Sequence, residues 1–367
     1  SFLLHLCSAM AGLTTPTVPF ACEPTCSHTP DNVSIKASVY DIDFQMHAEA
    51  RGRVLEAFRG DGSVPGKSAL LFQGGNTETR DETDTEKLFR QESTFNYLFG
   101  VKEPDCYAVI DVDSGESTLF IPRLPEEYEI WMGKIKPPEW YKGQYGVSKV
   151  LFVDEMKQAI ESSASQLYTS YGYNTDSGNY ATPATYDGID AAFPGEKNNK
   201  EMLYRVVVEC RVIKSEKELS LLRYINDIAS DSHLETMRRA RPEMYEFQLE
   251  SMFKHYCYFA GGCRMDAYTA ICGCGCNSAT LHYGHAAAPN SSLVKDGDMC
   301  LLDMGTEFHC YTSDITCSFP ANGKFTEDQK AIFETVQDCQ EQVMAAMRPG
   351  VAWIDMHTLT YRIICEH

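Results

Sequence analysis

At 367 residues the chain is long enough for two domains with separate cores. A formal net charge of −20 excludes a nucleic-acid binder, because phosphates would be repelled, and describes a soluble protein whose field attracts cations. No apolar run approaches the roughly 18 residues of a membrane span. The fifteen cysteines, an odd count in a large chain, read as buried free thiols of a reducing, cytoplasmic compartment.

Residues 1–44 open with the short apolar run Phe2-Leu-Leu-His-Leu6, which no basic residue precedes, and pass into a Thr-, Pro- and Ser-rich stretch. The reading is translated upstream sequence ahead of Met10, then an irregular segment. Apolar spacing predicts a helix over 45–58, ended by Arg59-Gly-Asp-Gly62, and a buried strand over 68–72 that runs into Gly74-Gly75. Residues 105–111 and 117–122 flank Asp113-Ser-Gly115 and predict a hairpin. A strand over 149–153 and a helix over 155–165 extend a mixed α/β domain assigned to 45–210.

A second domain is assigned to 211–367. Ser215 and Glu218 have the spacing of a capping box and predict a long helix to about residue 239. A second helix, roughly 244–260, closes at Gly261-Gly262. Residues 268–272 and 280–283 read as strands. Thr326 caps a third helix to about residue 347, broken by Arg348-Pro-Gly350, and Asp355 opens a fourth.

Between these lies the stretch with chemistry in it, two apolar runs over 298–320 with one carboxylate each, Asp303 and Asp314. They read as a hairpin, and a turn centred between Phe308 and His309 would set the two aspartates directly opposite, within roughly 5 Å. Like charges that close in an apolar hairpin repel, and burial adds to the cost unless a cation lies between them, so a divalent metal is the economical reading. The plain alternative makes Asp303 a turn residue before Met304-Gly305 and Asp314 an exposed partner of Ser313. Cys272, Cys274 and Cys276 alternate, which in a strand would place all three on one face; without a second cluster of zinc spacing they read as structural, with His282 and His285 near enough for an adventitious soft-metal site.

The block Leu301-Leu-Asp-Met-Gly305 with Ser313-Asp-Ile-Thr-Cys-Ser-Phe-Pro320, and Leu281-His-Tyr-Gly-His285 upstream, resembles the eukaryotic Xaa-Pro dipeptidases, which belong to the pita-bread metallopeptidases. Leu71-Phe-Gln-Gly-Gly75, Leu88-Phe-Arg-Gln-Glu-Ser93, Phe120-Ile-Pro-Arg-Leu-Pro125 and Trp131-Met-Gly-Lys-Ile135 resemble the N-terminal domain of the same family. The similarity runs from about residue 44 to 362. It implies an α/β (α+β) chain: a mixed α/β N-terminal domain followed by an incomplete pita-bread domain.

The resemblance also implies roles. Asp303 and Asp314 match two of five ligands that hold two metal ions, Mn²⁺ by the hardness of the ligand set, around a water that attacks an Xaa-Pro bond of a small dipeptide substrate. The remaining His and two Glu have no counterpart here, so the chain is expected to be an incomplete copy, inactive alone and loose around its aspartate hairpin. His282 resembles a histidine that stabilises the reacting carbonyl or shuttles protons, Tyr268 a tyrosine beside the metals, and Trp131 a tryptophan that reaches the partner's site in a homodimer. Without the family, His282 reads as a satisfied strand histidine, Tyr268 as a strand aromatic and Trp131 as a loop anchor. Cys274-Gly-Cys276 departs from an expected Ser-Gly-Glu. Two other functions remain open: a non-catalytic dimerising or binding member, and an Xaa-Pro aminopeptidase.

Overall fold

The protein, a computed structural model, is described over residues 40–367. The expectation for residues 1–44 therefore lies almost wholly outside the described residues.

The N-terminal half is built on a mixed six-stranded sheet. In chain order it contains α1 (Gln45–Gly60), β1 (Ser68–Gln73), α2 (Ser93–Phe99), β2 (Tyr107–Asp111), β3 (Ser117–Ile121), α3 (Glu129–Met132) and α4 (Pro138–Tyr145). It continues with β4 (Lys149–Phe152), α5 (Val153–Ser163), β5 (Gln166–Tyr168), α6 (Ile189–Ala192), β6 (Asn198–Asn199) and α7 (Met202–Val212). The sheet order is β4-β3-β2-β1-β5-β6, with the β1–β2–β3 meander antiparallel and the flanking strands parallel. Both faces are covered. Leu70 and Phe72 of β1 pack with Val54 and Phe58 of α1 and with Leu203 and Val207 of α7. Ala69 and Leu71 point the other way, to Met156 and Ile160 of α5. A strand buried on both sides needs a continuous apolar run, which is how 68–72 reads.

The C-terminal half pairs two helices with a bent hairpin. Here α8 (Glu216–Arg239) and α9 (Glu246–Gly261) are followed by β7 (Met265–Asp266), β8 (Ile271–Cys274), β9 (Met299–Met304), β10 (Thr306–Phe308), β11 (Tyr311–Thr312), β12 (Ile315–Pro320), α10 (Glu327–Ala346) and α11 (Trp353–Glu366). The Ser215 capping box forms as its spacing predicts: Glu218 N donates to Ser215 Oγ at 3.2 Å and Ser215 N to Glu218 Oε2 at 2.8 Å. Cys272, Cys274, Cys300, Leu302 and Met304 pack from the sheet onto Leu249, Phe253 and Cys257 of α9.

Four expectations are corrected. Residues 280–283 are a turn rather than a strand, and of the strand placed at 268–272 only Ile271 and Cys272 are strand, at the start of β8. The strand stops at Cys274, so Cys272 and Cys274 are buried while Cys276, past the left-handed Gly275, is exposed. The turn centre of the aspartate hairpin lies one residue further along than predicted, which moves every cross-strand partner by two: Asp303 pairs with Thr316 rather than Asp314, and Phe308 with Tyr311. The turn lies on His309 and Cys310, at φ of 52° and 62°. Two adjacent non-glycine residues in the left-handed region are disfavoured locally, so sequence chemistry gives no hint of this turn.

Tertiary contacts hold it there. His309 Nε2 meets His47 Nε2 at 3.0 Å, Asn96 Nδ2 donates to His309 O at 2.8 Å, and Arg90 Nε donates to both oxygens of Glu307 at 2.9 and 2.8 Å. The tip of the aspartate hairpin is thus docked into the N-terminal half.

Candidate metal centre

Strand β9 alternates half-buried and buried residues, with even-numbered side chains toward the helices and Asp303 on the other side. Asp314 sits in the short break between β11 and β12, opposite Gly305 on the companion strand. Gly305 is required at this bend: a Cβ there would lie 2.1 Å from Ser313 O and 2.9 Å from Tyr268 Cε1. The missing side chain lets the Tyr268 ring lie against the hairpin, held as Ala267 N donates to Gly305 O at 3.0 Å.

The phenol then joins the two carboxylates. Tyr268 Oη donates to Asp303 Oδ1 and lies 3.1 Å from Asp314 Oδ1. Burial first, then the hydrogen bond to Asp303 and the charge of both aspartates, push the phenol well above its ordinary pKa, so it remains a donor. The register correction therefore leaves the convergence intact: the aspartates are not direct cross-strand partners, but the bend at Gly305 and Asp314 turns both toward one oxygen.

These groups line a cavity of about 410 Å³ with Thr269, Ile271, His282, Tyr283 and His285. His282 is an exposed residue on the cavity wall, in the turn after β8, and the satisfied strand histidine is excluded for it. Trp131 stands on α3, 74% exposed, and does not line this cavity. Glu307 and His309, the other acid and imidazole of the hairpin, are turned away into contacts with Arg90 and His47.

The donor set suits a hard divalent ion. Two carboxylates without a Lys or Arg partner among the described residues, joined by a phenol, offer oxygen ligands to a cation. Among the described residues no third His, Cys, Asp or Glu joins them in a metal-sized group. Sequence reasoning missed the groups that hold this floor. Buried Glu246 accepts from Cys274 N at 2.9 Å, Asn277 Nδ2 at 3.0 Å, Tyr283 Oη at 2.8 Å and Ser292 N at 3.0 Å, tying the turn that carries His282 to α9. Asn290 accepts from Cys272 N at 3.0 Å and donates to Ala270 O at 2.9 Å. His233 on α8 reaches Met304 O at 3.1 Å, one residue past Asp303. A polar residue on a helix carries no sequence mark of these partners, which are distant in the chain.

Fold and site define a class: an α/β chain whose second half presents an acidic hairpin of the metallohydrolase kind. Residues 220–367 match Metallopeptidase family M24 and residues 47–169 match the Aminopeptidase P, N-terminal domain. The chain thus carries an M24 metallopeptidase domain preceded by an aminopeptidase P N-terminal domain. It is 51% identical over 326 residues to the Xaa-Pro dipeptidase of Homo sapiens, across 89% of this chain and 65% of that protein. A "Probable Xaa-Pro aminopeptidase" of Verticillium alfalfae is 34% identical, across 83% of this chain and 63% of that one. Zn-substituted Escherichia coli aminopeptidase P in complex with product superposes with a TM-score of 0.74 at 27% identity, covering 88% of this chain and 73% of that one. The chain thus spans about 65% of the length of the curated dipeptidases it matches. Among the described residues no helix is long and apolar enough to cross a membrane.

Proposed function

We propose that the chain carries part of an Xaa-Pro dipeptidase site, in which Asp303 and Asp314 hold Mn²⁺ and the cavity beside them receives a dipeptide ending in proline. The observation that carries this reading is the convergence of both carboxylates and the Tyr268 hydroxyl on one wall of the cavity that His282 also lines. When bound, the metal would lower the pKa of a water and polarise the scissile carbonyl. The chain's own residues do the rest: the aspartates supply the negative charge, Tyr268 orients one oxygen of each, and His282 offers an imidazole N–H to a carbonyl or carboxylate of the substrate. The higher identity to the human dipeptidase than to the fungal protein favours the dipeptidase over the aminopeptidase reading.

One observation favours a second reading, binding without turnover. Two carboxylates are the whole acidic set that converges among the described residues. Two carboxylates hold one ion weakly and do not aim a doubly polarised water. Residues 1–367 are therefore expected to bind Mn²⁺ without hydrolysing Gly-Pro. Electron paramagnetic resonance of Mn²⁺ decides the site: binding should be lost in Asp303→Asn and Asp314→Asn, and unchanged affinity in both variants refutes it. Chelator-sensitive release of proline by this chain would remove the second reading. We further assign a homodimer that brings Trp131 of one copy to the site of the other, and a reducing, cytoplasmic setting consistent with twelve free cysteines among the described residues.

A further inference from the structure

Behind the aspartate floor, on the face of the sheet that meets α8 and α9, Cys274 of β8 and Cys300 of β9 are register partners of an antiparallel pair. Their Sγ atoms are 3.3 Å apart. Directly opposed residues of such a pair hold their Cα atoms about 4.5–5.5 Å apart. That separation falls inside the roughly 4.4–6.8 Å that a disulfide spans, so small side-chain rotations bring the sulfurs into bonding range. Two residues back along β8 the pattern changes: Cys272 Sγ contacts Met304 Sδ at 3.5 Å, and a thioether cannot close a disulfide. Only one of these two sulfur contacts is a dithiol.

We propose that Cys274 and Cys300 are a redox-sensitive modification site that closes a cross-strand disulfide when a hydroperoxide or a low-molecular-weight disulfide is present. Two S–H bonds break and one S–S bond forms; two protons and two electrons pass to the oxidant, which leaves as alcohol and water or as two thiols. The hydrogen bond with Cys300 and then burial keep Cys274 protonated, so the reaction waits on transient opening of β8, an edge strand of its sheet. The segment enclosed between Cys274 and Cys300 contains His282 and His285, and Asp303 follows Cys300 on the same strand. Closing the bond therefore ties the turn that lines the cavity to the strand that holds the carboxylate. The site is independent of the peptidase reading, since it needs neither metal nor substrate.

The test is a disulfide map of the folded full chain. It is equilibrated in glutathione buffers of rising oxidised-to-reduced ratio until the pattern stops changing, then alkylated, digested and weighed. The expected product is a peptide pair joined through Cys274 and Cys300, lighter by two hydrogens and released by dithiothreitol. Cys300→Ser should abolish it and leave Cys274 alkylated, with a thermal melt confirming that the variant folds. The wild-type map alone decides. Recovery of Cys274 and Cys300 as free thiols where exposed Cys276 and Cys365 carry glutathione would overturn the proposal, as would Cys274 joined to Cys276.

Discussion

The two sheets of this molecule face different demands. Strand β1 of the N-terminal half is buried along five consecutive residues, whereas β9 of the C-terminal half alternates half-buried and buried positions. The first is packed by helices on both faces and has room only for apolar side chains. The second gives one face to α8 and α9 and leaves the other to a cavity, so it can carry Asp303 without burying a charge on both sides. The functional groups therefore sit where packing is thinnest. The contrast continues into α10 and α11, where Ile332 (67%), Trp353 (80%) and Ile354 (70%) are exposed.

Truncation at matched positions should give the largest difference between the sheets. Leu70→Ala removes a fully buried side chain of β1 and should cost about 2–5 kcal/mol in denaturant unfolding. Leu301→Ala, on the cavity-facing side of β9, should cost under about 1 kcal/mol. Equal losses would show that both sheets are packed alike. Hydrogen exchange offers a second reading of the same contrast, with residues 299–319 expected to exchange faster than residues 68–122.

Acid should act on the seam between the halves. Burial first, then unfavourable neighbouring charges including Arg51 for His47 and Lys102 for His309, hold His47 at about 4 and His309 at about 3, against an ordinary value of 6.5. The unfolded chain then binds more protons than the folded one below pH 6.5. Stability is unaffected by the pair above that value and falls as pH drops toward 4 and then 3. His309→Gln should flatten the urea midpoint across this window; an unchanged pH profile would mean the pair is not buried and neutral.

Gly305→Ala should act locally. The added methyl meets Ser313 O and the Tyr268 ring, so the bend must open, at a cost of about 1–3 kcal/mol, and Mn²⁺ affinity should fall with it. Trp131→Ala should have the smallest effect on stability, within about 0.5 kcal/mol, because the side chain is exposed. Its expected consequence is weaker self-association by light scattering; an unchanged dimer would remove the role assigned to it.

Much of this was readable from the residues alone. The apolar run at 68–72, the turn chemistry of Asp113-Ser-Gly115 and the Ser215–Glu218 box each specify a structure within a few neighbouring residues, and each formed as read. The aspartate hairpin was legible as a pair of apolar runs, and its membership of a metallopeptidase family through its motifs. What the sequence could not decide was register. The turn at His309 and Cys310 is unfavourable locally and exists because His47, Asn96 and Arg90, more than 200 positions away, bind the hairpin tip. That docking moves the turn centre by one residue and the pairing by two, and Gly305 then bends the strand so that Asp303 and Asp314 meet at Tyr268. Local propensity sets which segments become strands. Which carboxylates converge depends on contacts between residues far apart in the chain, and only the tertiary structure contains those.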